Sequence, residues 1–148
     1  MSNYATENLR TLALVGHGSC GKTTLIEAML YRAGMIPEMG SIQRGTTMCD
    51  NDLLEKEVGH SIRLAVAHID TAMTDLTPVR IHILDTPGYP DYLGQDMSAL
   101  DAVKSVCAVI DPTKGPELLT RRLMAMAKER GLCRMIVINH MDLSLIHI

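Results

Sequence analysis

The octet GHGSCGKT, Gly16 to Thr23, decides the fold. It fits G-x-x-x-x-G-K-[ST], a pattern whose backbone N–H groups wrap a phosphate. Glycines are needed there because side chains would obstruct that approach. The octet follows the apolar run Leu12 to Val15 and precedes Leu25, Ile26, Met29, Leu30 and Ala33, which recur at helical spacing. A strand, a glycine-rich loop and a helix are predicted, with the helix N-terminus adding partial positive charge behind the loop. With glycine at roughly 7% of residues, a chance match is on the order of one in two hundred, so a plain glycine turn is the weaker reading. Gly16, His17, Gly18, Ser19, Cys20, Gly21, Lys22, Thr23 and Thr24 are the expected nucleotide loop. Lys22 is expected to reach the β- and γ-phosphates and the Thr23 hydroxyl to bind Mg²⁺.

Outward from the octet, residues 35 to 60 are polar and glycine-containing without a sustained period. A loop of that length in a compact domain is usually functional or mobile. A helical turn is expected near Asp52 to Glu57. Ile62, Leu64 and Val66 alternate, as do Val79, Ile81 and Ile83, with Asp75 and Pro78 between. That pattern predicts an antiparallel hairpin. Leu93, Met97, Leu100 and Val103 fit one helix face, and Leu119, Leu123 and Met126 another. Val106 to Ile110 and Met135 to Ile138 are unbroken apolar runs, which predicts parallel strands buried on both faces. The expected fold is a three-layer, doubly wound α/β sheet, mostly parallel with one antiparallel strand. Such sheets bind ligands beyond the C-terminal ends of their strands.

Two further stretches sit at such ends. Asp85 to Gly88 reads DTPG, where an acid can hold Mg²⁺ through water and Gly88 can offer its N–H to a γ-phosphate. Asn139 to Asp142 reads NHMD, where a carboxylate can accept from the two neighbouring N–H donors that guanine has and adenine lacks. Each is weak alone, since Pro-Gly is a common turn pair. Their order after the octet is what gives them weight.

Composition narrows the class. The chain has 148 residues, enough for one domain with a real core. It has 11 methionines and neither Phe nor Trp, so the core is aliphatic and thioether. A net charge of -3 advertises no global nucleic-acid field. The first ten residues are polar and lack a signal-peptide core, and no apolar run approaches the ~20 residues of a membrane span. The four cysteines show no CxxC and the six histidines no ligand spacing. Reduced thiols in the cytoplasm are expected.

Together these pieces resemble the GTP-binding (G) domain of translational GTPases, and within them the elongation factor G family with its EF-G-like paralogues. NLRTLALVGHGSCGKTTL resembles the family's first strand and P-loop, and TTMCDNDLLEKEVGHSI the end of its switch I. RIHILDTPGYPDYLGQDMSALDAV resembles its third strand, switch II and next helix, and MIVINHMD its base-recognition strand. The likeness runs from about Asn8 to Asp142. It implies a P-loop NTPase that binds GTP and GDP with Mg²⁺, and a parent factor that works on the ribosome. Asp85, Thr86, Pro87, Gly88 and Tyr89, with Asn139, His140, Met141 and Asp142, join the nucleotide site. The resemblance further implies that Thr23, Ser61 and, through water, Asp85 hold the metal, and that Lys22, Gly88 and position 89 serve catalysis.

Three positions depart from the family pattern. Ser61 stands where a threonine usually completes the Mg²⁺ shell, and its hydroxyl offers the same coordination. His140 stands where the lysine of NKxD braces base and P-loop, and it is shorter. Tyr89 stands where active factors usually carry a histidine that orients the attacking water. Phosphoryl transfer depends on positioning, so hydrolysis is expected to be slow. Two other readings stay open: a non-hydrolysing GTP-sensing module acting on ribosomes or another partner, and an unrelated P-loop ATPase or kinase. Residues 1–142 are expected to be the N-terminal part of the G domain, which would leave the sheet incomplete at its C-terminal end. The ending LSLIHI, Leu143 to Ile148, is what CTGTCTCTTATACACATC encodes; it resembles a translated sequencing adapter and is expected to be a non-native tail.

Overall fold

The computed structural model describes residues 4–49, 53–73 and 75–144. The order is β1 (Leu9–Val15), α1 (Lys22–Arg32), α2 (Leu53–Val58), β2 (Ala65–Ala72) and β3 (Pro78–Asp85). Then come α3 (Leu93–Ala102), β4 (Ser105–Ile110), α4 (Leu118–Glu129), β5 (Cys133–Ile138) and α5 (Met141–Ser144). The five strands form one sheet in the order β2-β3-β1-β4-β5. All pairs are parallel except β2 with β3. This is the expected mostly parallel α/β sheet.

Strand alternation divides the core into two layers. Ala13, Val15, Leu84, Val106 and Ala108 face Ala99 and Leu100 of α3 and Leu123 and Ala127 of α4. Their neighbours Leu14, Ile83, Cys107 and Val109 face Ile26 and Leu30 of α1 on the other side. The one-residue offset sends successive side chains to opposite faces, so both faces of the central strands are covered. No helix among the described residues is long and apolar enough to cross a membrane.

The hairpin forms, but its first strand lies further along than the alternation predicts. β2 begins at Ala65, buries Ala67 and Ile69, and leaves Val66 64% exposed. The cause is local. The backbone N–H groups of Ile62 and Arg63 both donate to the Glu55 carboxylate at 2.9 Å, which removes them from a ladder. Asp52, the expected start of the short helix, lies outside the described residues; the helix itself runs from Leu53. The second apolar run, now β5, is not buried on both faces as expected. It forms the sheet edge, with Met135, Ile136 and Ile138 each about half exposed or more. Of the ending LSLIHI, 145–148 lie outside the described residues.

The long segment after α1 is tied down by a buried charge. Glu27 of α1 is fully buried, and its carboxylate accepts the N–H groups of Gly40, at 2.9 Å, and Met48. Glu27 thus holds this segment at Gly40 and Met48, and Glu55 holds the chain just after Ser61.

Candidate functional site

The C-terminal ends of β1, β3 and β5 meet at one cavity of about 300 Å³. Ser19, Gly21, Lys22, Thr23 and Thr24 line it from the phosphate loop, Thr86, Pro87 and Tyr89 from the segment after β3, and His140 from beyond β5. Gly59, His60 and Ser61 close it from the segment before β2, with Ile42 and Gln43. A second cavity of about 460 Å³ lies on the other side of Tyr89, lined among others by His17, Gly18, Leu93, Lys114 and Arg122. Ser19 and Tyr89 belong to both walls. The smaller one holds the phosphate-loop lysine and threonine, so it is the nucleotide candidate.

The glycines are there for space. A Cβ at Gly16 would lie 2.9 Å from the Cys20 sulfur and 2.5 Å from the Val109 carbonyl. At Gly21, whose φ is +87°, a Cβ would meet the Asn139 amide, and at Gly88, with φ +78°, the Gly16 carbonyl and the Lys22 ammonium. Gly21 is also the residue from which α1 starts, so the left-handed turn aims the first N–H groups of α1 back along the loop. The buried Lys22 Nζ donates to the carbonyls of His17 at 2.9 Å and Gly16 at 3.2 Å. It is held within the loop it is expected to serve.

Next to Lys22 in the chain, Thr23 gathers a set of hard oxygens. Thr23 Oγ1 donates to Asp85 Oδ2 at 2.6 Å and sits 3.2 Å from Ser61 Oγ. All three side chains are buried. Hydroxyl and carboxylate oxygens in this density suit Mg²⁺, which takes one or two carboxylates and leaves other positions to water and phosphate. The Thr86 hydroxyl donates to the Leu14 carbonyl at 2.9 Å, which pins the segment after β3 to β1.

At the far end, Asn139 Nδ2 donates to the Cys20 carbonyl at 3.0 Å, linking β5 to the phosphate loop. His140, with φ +54°, turns its Nδ1 to Asp111 Oδ2 at 3.2 Å. Met141 and Asp142 open α5 and are exposed, off the cavity lining. Gly16, His17, Gly18, Cys20, Asp85, Gly88 and Asn139 also stand behind or beside that lining rather than on it.

Tyr89 reaches both ways. Its ring covers Gly18, where a Cβ would lie 2.6 Å from Cε1 and 2.7 Å from the phenol oxygen. On the cavity side the His60 ring lies against it, centroids 4.5 Å apart at 39°.

Besides Glu27, four acidic or basic groups near the site carry no motif. His60 lies beside Ser61 in EVGHSI, where only Ser61 stands at a family metal position. Asp96 sits on the inner side of α3, wholly buried, with neither carboxyl oxygen in a hydrogen bond of good geometry. Burial pushes its carboxyl up, against the nearby Thr86 hydroxyl, Lys22 charge and Gly88 N–H. Asp111 follows β4, at a strand end where ligands collect. The Thr113 hydroxyl and N–H donate to it at 2.6 and 2.8 Å and hold its carboxyl down at about 2, helped by His140 and opposed by slight burial. Glu55 looked like one charge among several on a short helix, yet it is 5% exposed.

Known proteins resemble this chain in sequence and fold. The Elongation factor Tu GTP binding domain family matches residues 7–146. A tetracycline resistance protein TetM of Enterococcus faecalis is 34% identical over 131 residues, 88% of this chain and 20% of that protein. An elongation factor G-like protein of Mycobacterium tuberculosis is 35% identical over 134 residues, 90% of this chain and 18% of that one. Among solved structures, one from Thermus thermophilus superposes with TM-score 0.79 at 36% identity, covering 87% of this chain and 19% of that one. A bacterial selenocysteine-specific elongation factor EF-Sec superposes with TM-score 0.70 at 25% identity, covering 90% and 20%. The chain spans about a fifth of the length of the curated relatives it matches.

Proposed function

The chain belongs to the Elongation factor Tu GTP binding domain family, and on that premise we propose that it binds Mg²⁺-GTP in the smaller cavity and hydrolyses it slowly to GDP and phosphate. The observation that carries this reading is that Asp85, at 2.6 Å, and Ser61, at 3.2 Å, both meet the Thr23 hydroxyl from segments far apart in sequence, beside Lys22. Nothing in a bare core needs hydroxyls and a carboxylate packed there; a phosphate-bound cation does.

Thr23 and Ser61 would hold the Mg²⁺, with Asp85 behind them through water. When bound, the ion neutralises charge on the β- and γ-phosphate oxygens. The chain's own groups do the rest. Lys22 and the N–H groups of residues 18 to 24 bind and orient the phosphates. Gly88 brings its N–H to the γ-phosphate end. Asn139 fastens the base-reading loop to Cys20, His140 packs along the base, and Asp142 reads the guanine edge.

Ser61 and Gly88 lie on segments that contact of this kind with a γ-phosphate orders and hydrolysis releases. The parent factor uses that switch on the ribosome, in the cytoplasm. A second reading rests on one observation: Tyr89 packs over Gly18 in the place of the water-orienting group. On that reading the chain senses GTP without turning it over. Phosphate release from a preloaded GTP complex separates the two. Release of one equivalent within hours, faster than GTP in buffer, supports a slow GTPase. Release no faster than in buffer supports a sensor.

A further inference from the structure

We propose that His60 is the catalytic residue that positions the attacking water, from the segment before β2, with Tyr89 as the platform that holds its ring. This rests on the GTP reading above. A water nucleophile in phosphoryl transfer needs an acceptor aimed at it. Besides the hydroxyls and the Gln43 amide, the rings of His60, Tyr89 and His140 on the cavity wall can accept, and only an imidazole offers a basic lone pair. His140 is turned to Asp111 at the base end, and the Tyr89 phenol is packed over Gly18.

His60 is the one left at the metal end, adjacent in sequence to Ser61, whose hydroxyl lies 3.2 Å from that of Thr23. Its Nδ1 faces the Ser61 carbonyl at 3.3 Å. Donation of Nδ1–H there leaves the Nε2 lone pair as the acceptor. The ring is fixed on one side by Tyr89, which is in turn seated on the side-chain-free Gly18. Gly18, Tyr89 and His60 form one stack from phosphate loop to switch segment. An imidazole is thus restored to the site by a different strand of chain.

In the step itself the water oxygen bonds to the γ-phosphorus as the bond from that phosphorus to the β,γ-bridging oxygen breaks. The bond's electron pair leaves with GDP. Nε2 accepts the hydrogen bond that aims the water, and the proton ends on inorganic phosphate. No further reactant is needed.

The test uses the unaltered chain with His60→Ala and His60→Gln. Three quantities are read: GTP affinity, the single-turnover rate, and the His60 ring resonances with a non-hydrolysable GTP analogue or with GDP. The expected result is a rate at least ~100-fold lower in His60→Ala at unchanged GTP affinity, the low end of the ~10²–10⁴ range of such groups. His60→Gln, which keeps an acceptor, recovers part of the rate. The ring resonances move with the GTP analogue and not with GDP. Parental rates in His60→Ala overturn the proposal. So does a loss of GTP affinity as large as the loss of rate, or a ring response equal for both nucleotides. Failure of the unaltered chain to bind GTP overturns the underlying GTP reading, and the proposal with it. Binding without any hydrolysis overturns the proposal and favours the sensor reading, while leaving GTP binding intact.

Discussion

The Tyr89 ring lies directly over the Cα of Gly18, so that the phosphate loop and the segment after β3 share one surface. The obstacle to a side chain at 18 is a rotatable ring rather than backbone. Gly18→Ala is therefore expected to push Tyr89 aside at a cost of about 1 kcal/mol, near the low end for overpacking. The cost should shrink in a Tyr89→Ala background. Denaturant unfolding of both single variants and the double variant reads the coupling, expected at ~0.5 kcal/mol or more between touching residues.

Gly88 differs from Gly18 because its obstacle is fixed. Its φ is +78°, and the Gly16 carbonyl and Lys22 ammonium occupy the space of a Cβ. Gly34 has a similar φ, +70°, and open space. Gly34→Ala should cost only the left-handed penalty of ~1–2 kcal/mol. Gly88→Ala should cost clearly more, and should also weaken GTP binding. Parallel thermal melts compare the two.

Glu27 holds Gly40 and Met48 through a fully buried carboxylate. Hydrogen bonds to charged groups contribute about 1.5–3 kcal/mol each. Glu27→Ala should destabilise the chain by ~3 kcal/mol or more and speed amide hydrogen exchange at Gly40 and Met48. Glu27→Gln, which keeps one acceptor, should lose less.

Much of this was legible beforehand, and the misses share a physical cause. The octet, the hairpin and the main helix faces follow from periodicity and glycine spacing, which local sterics dictate. The start of β2 does not. Ile62, Leu64 and Val66 alternate as well as any strand, but Glu55 takes the N–H groups of 62 and 63. The roles of Glu27, Glu55 and Asp96 were hidden because a charge on an amphipathic helix reads as solvent-facing until its partners are known. Exposure of β5 follows from strand order, which hydropathy does not encode. At the site, Lys22, Thr23, Ser61 and Tyr89 were readable from motifs, whereas the contact between His60 and Tyr89 joins residues far apart in the chain.

Asp111 gives the pH dependence a sign. Its folded carboxyl sits at about 2, below the ordinary value near 3.8, chiefly through the Thr113 hydroxyl. Its contribution to stability is therefore present above the unfolded value and is lost as pH falls toward about 2. Thr113→Val removes the hydroxyl, so the Asp111 titration should move up and the acid loss should begin at higher pH. Carboxyl resonances followed through an acid titration read both.

Lys22, Thr23 and Asp142 are proposed to build a guanine nucleotide site. Equilibrium binding of GTP, GDP and ATP to the chain, with and without Mg²⁺, tests it most directly. GTP and GDP are expected to bind at least ~100-fold more tightly than ATP, a gap of about 2.8 kcal/mol at ~1.4 per decade. Mg²⁺ is also expected to strengthen GTP binding, and Lys22→Ala to abolish it. Equal affinity for ATP, or GTP binding indifferent to Lys22→Ala, would contradict the proposed site.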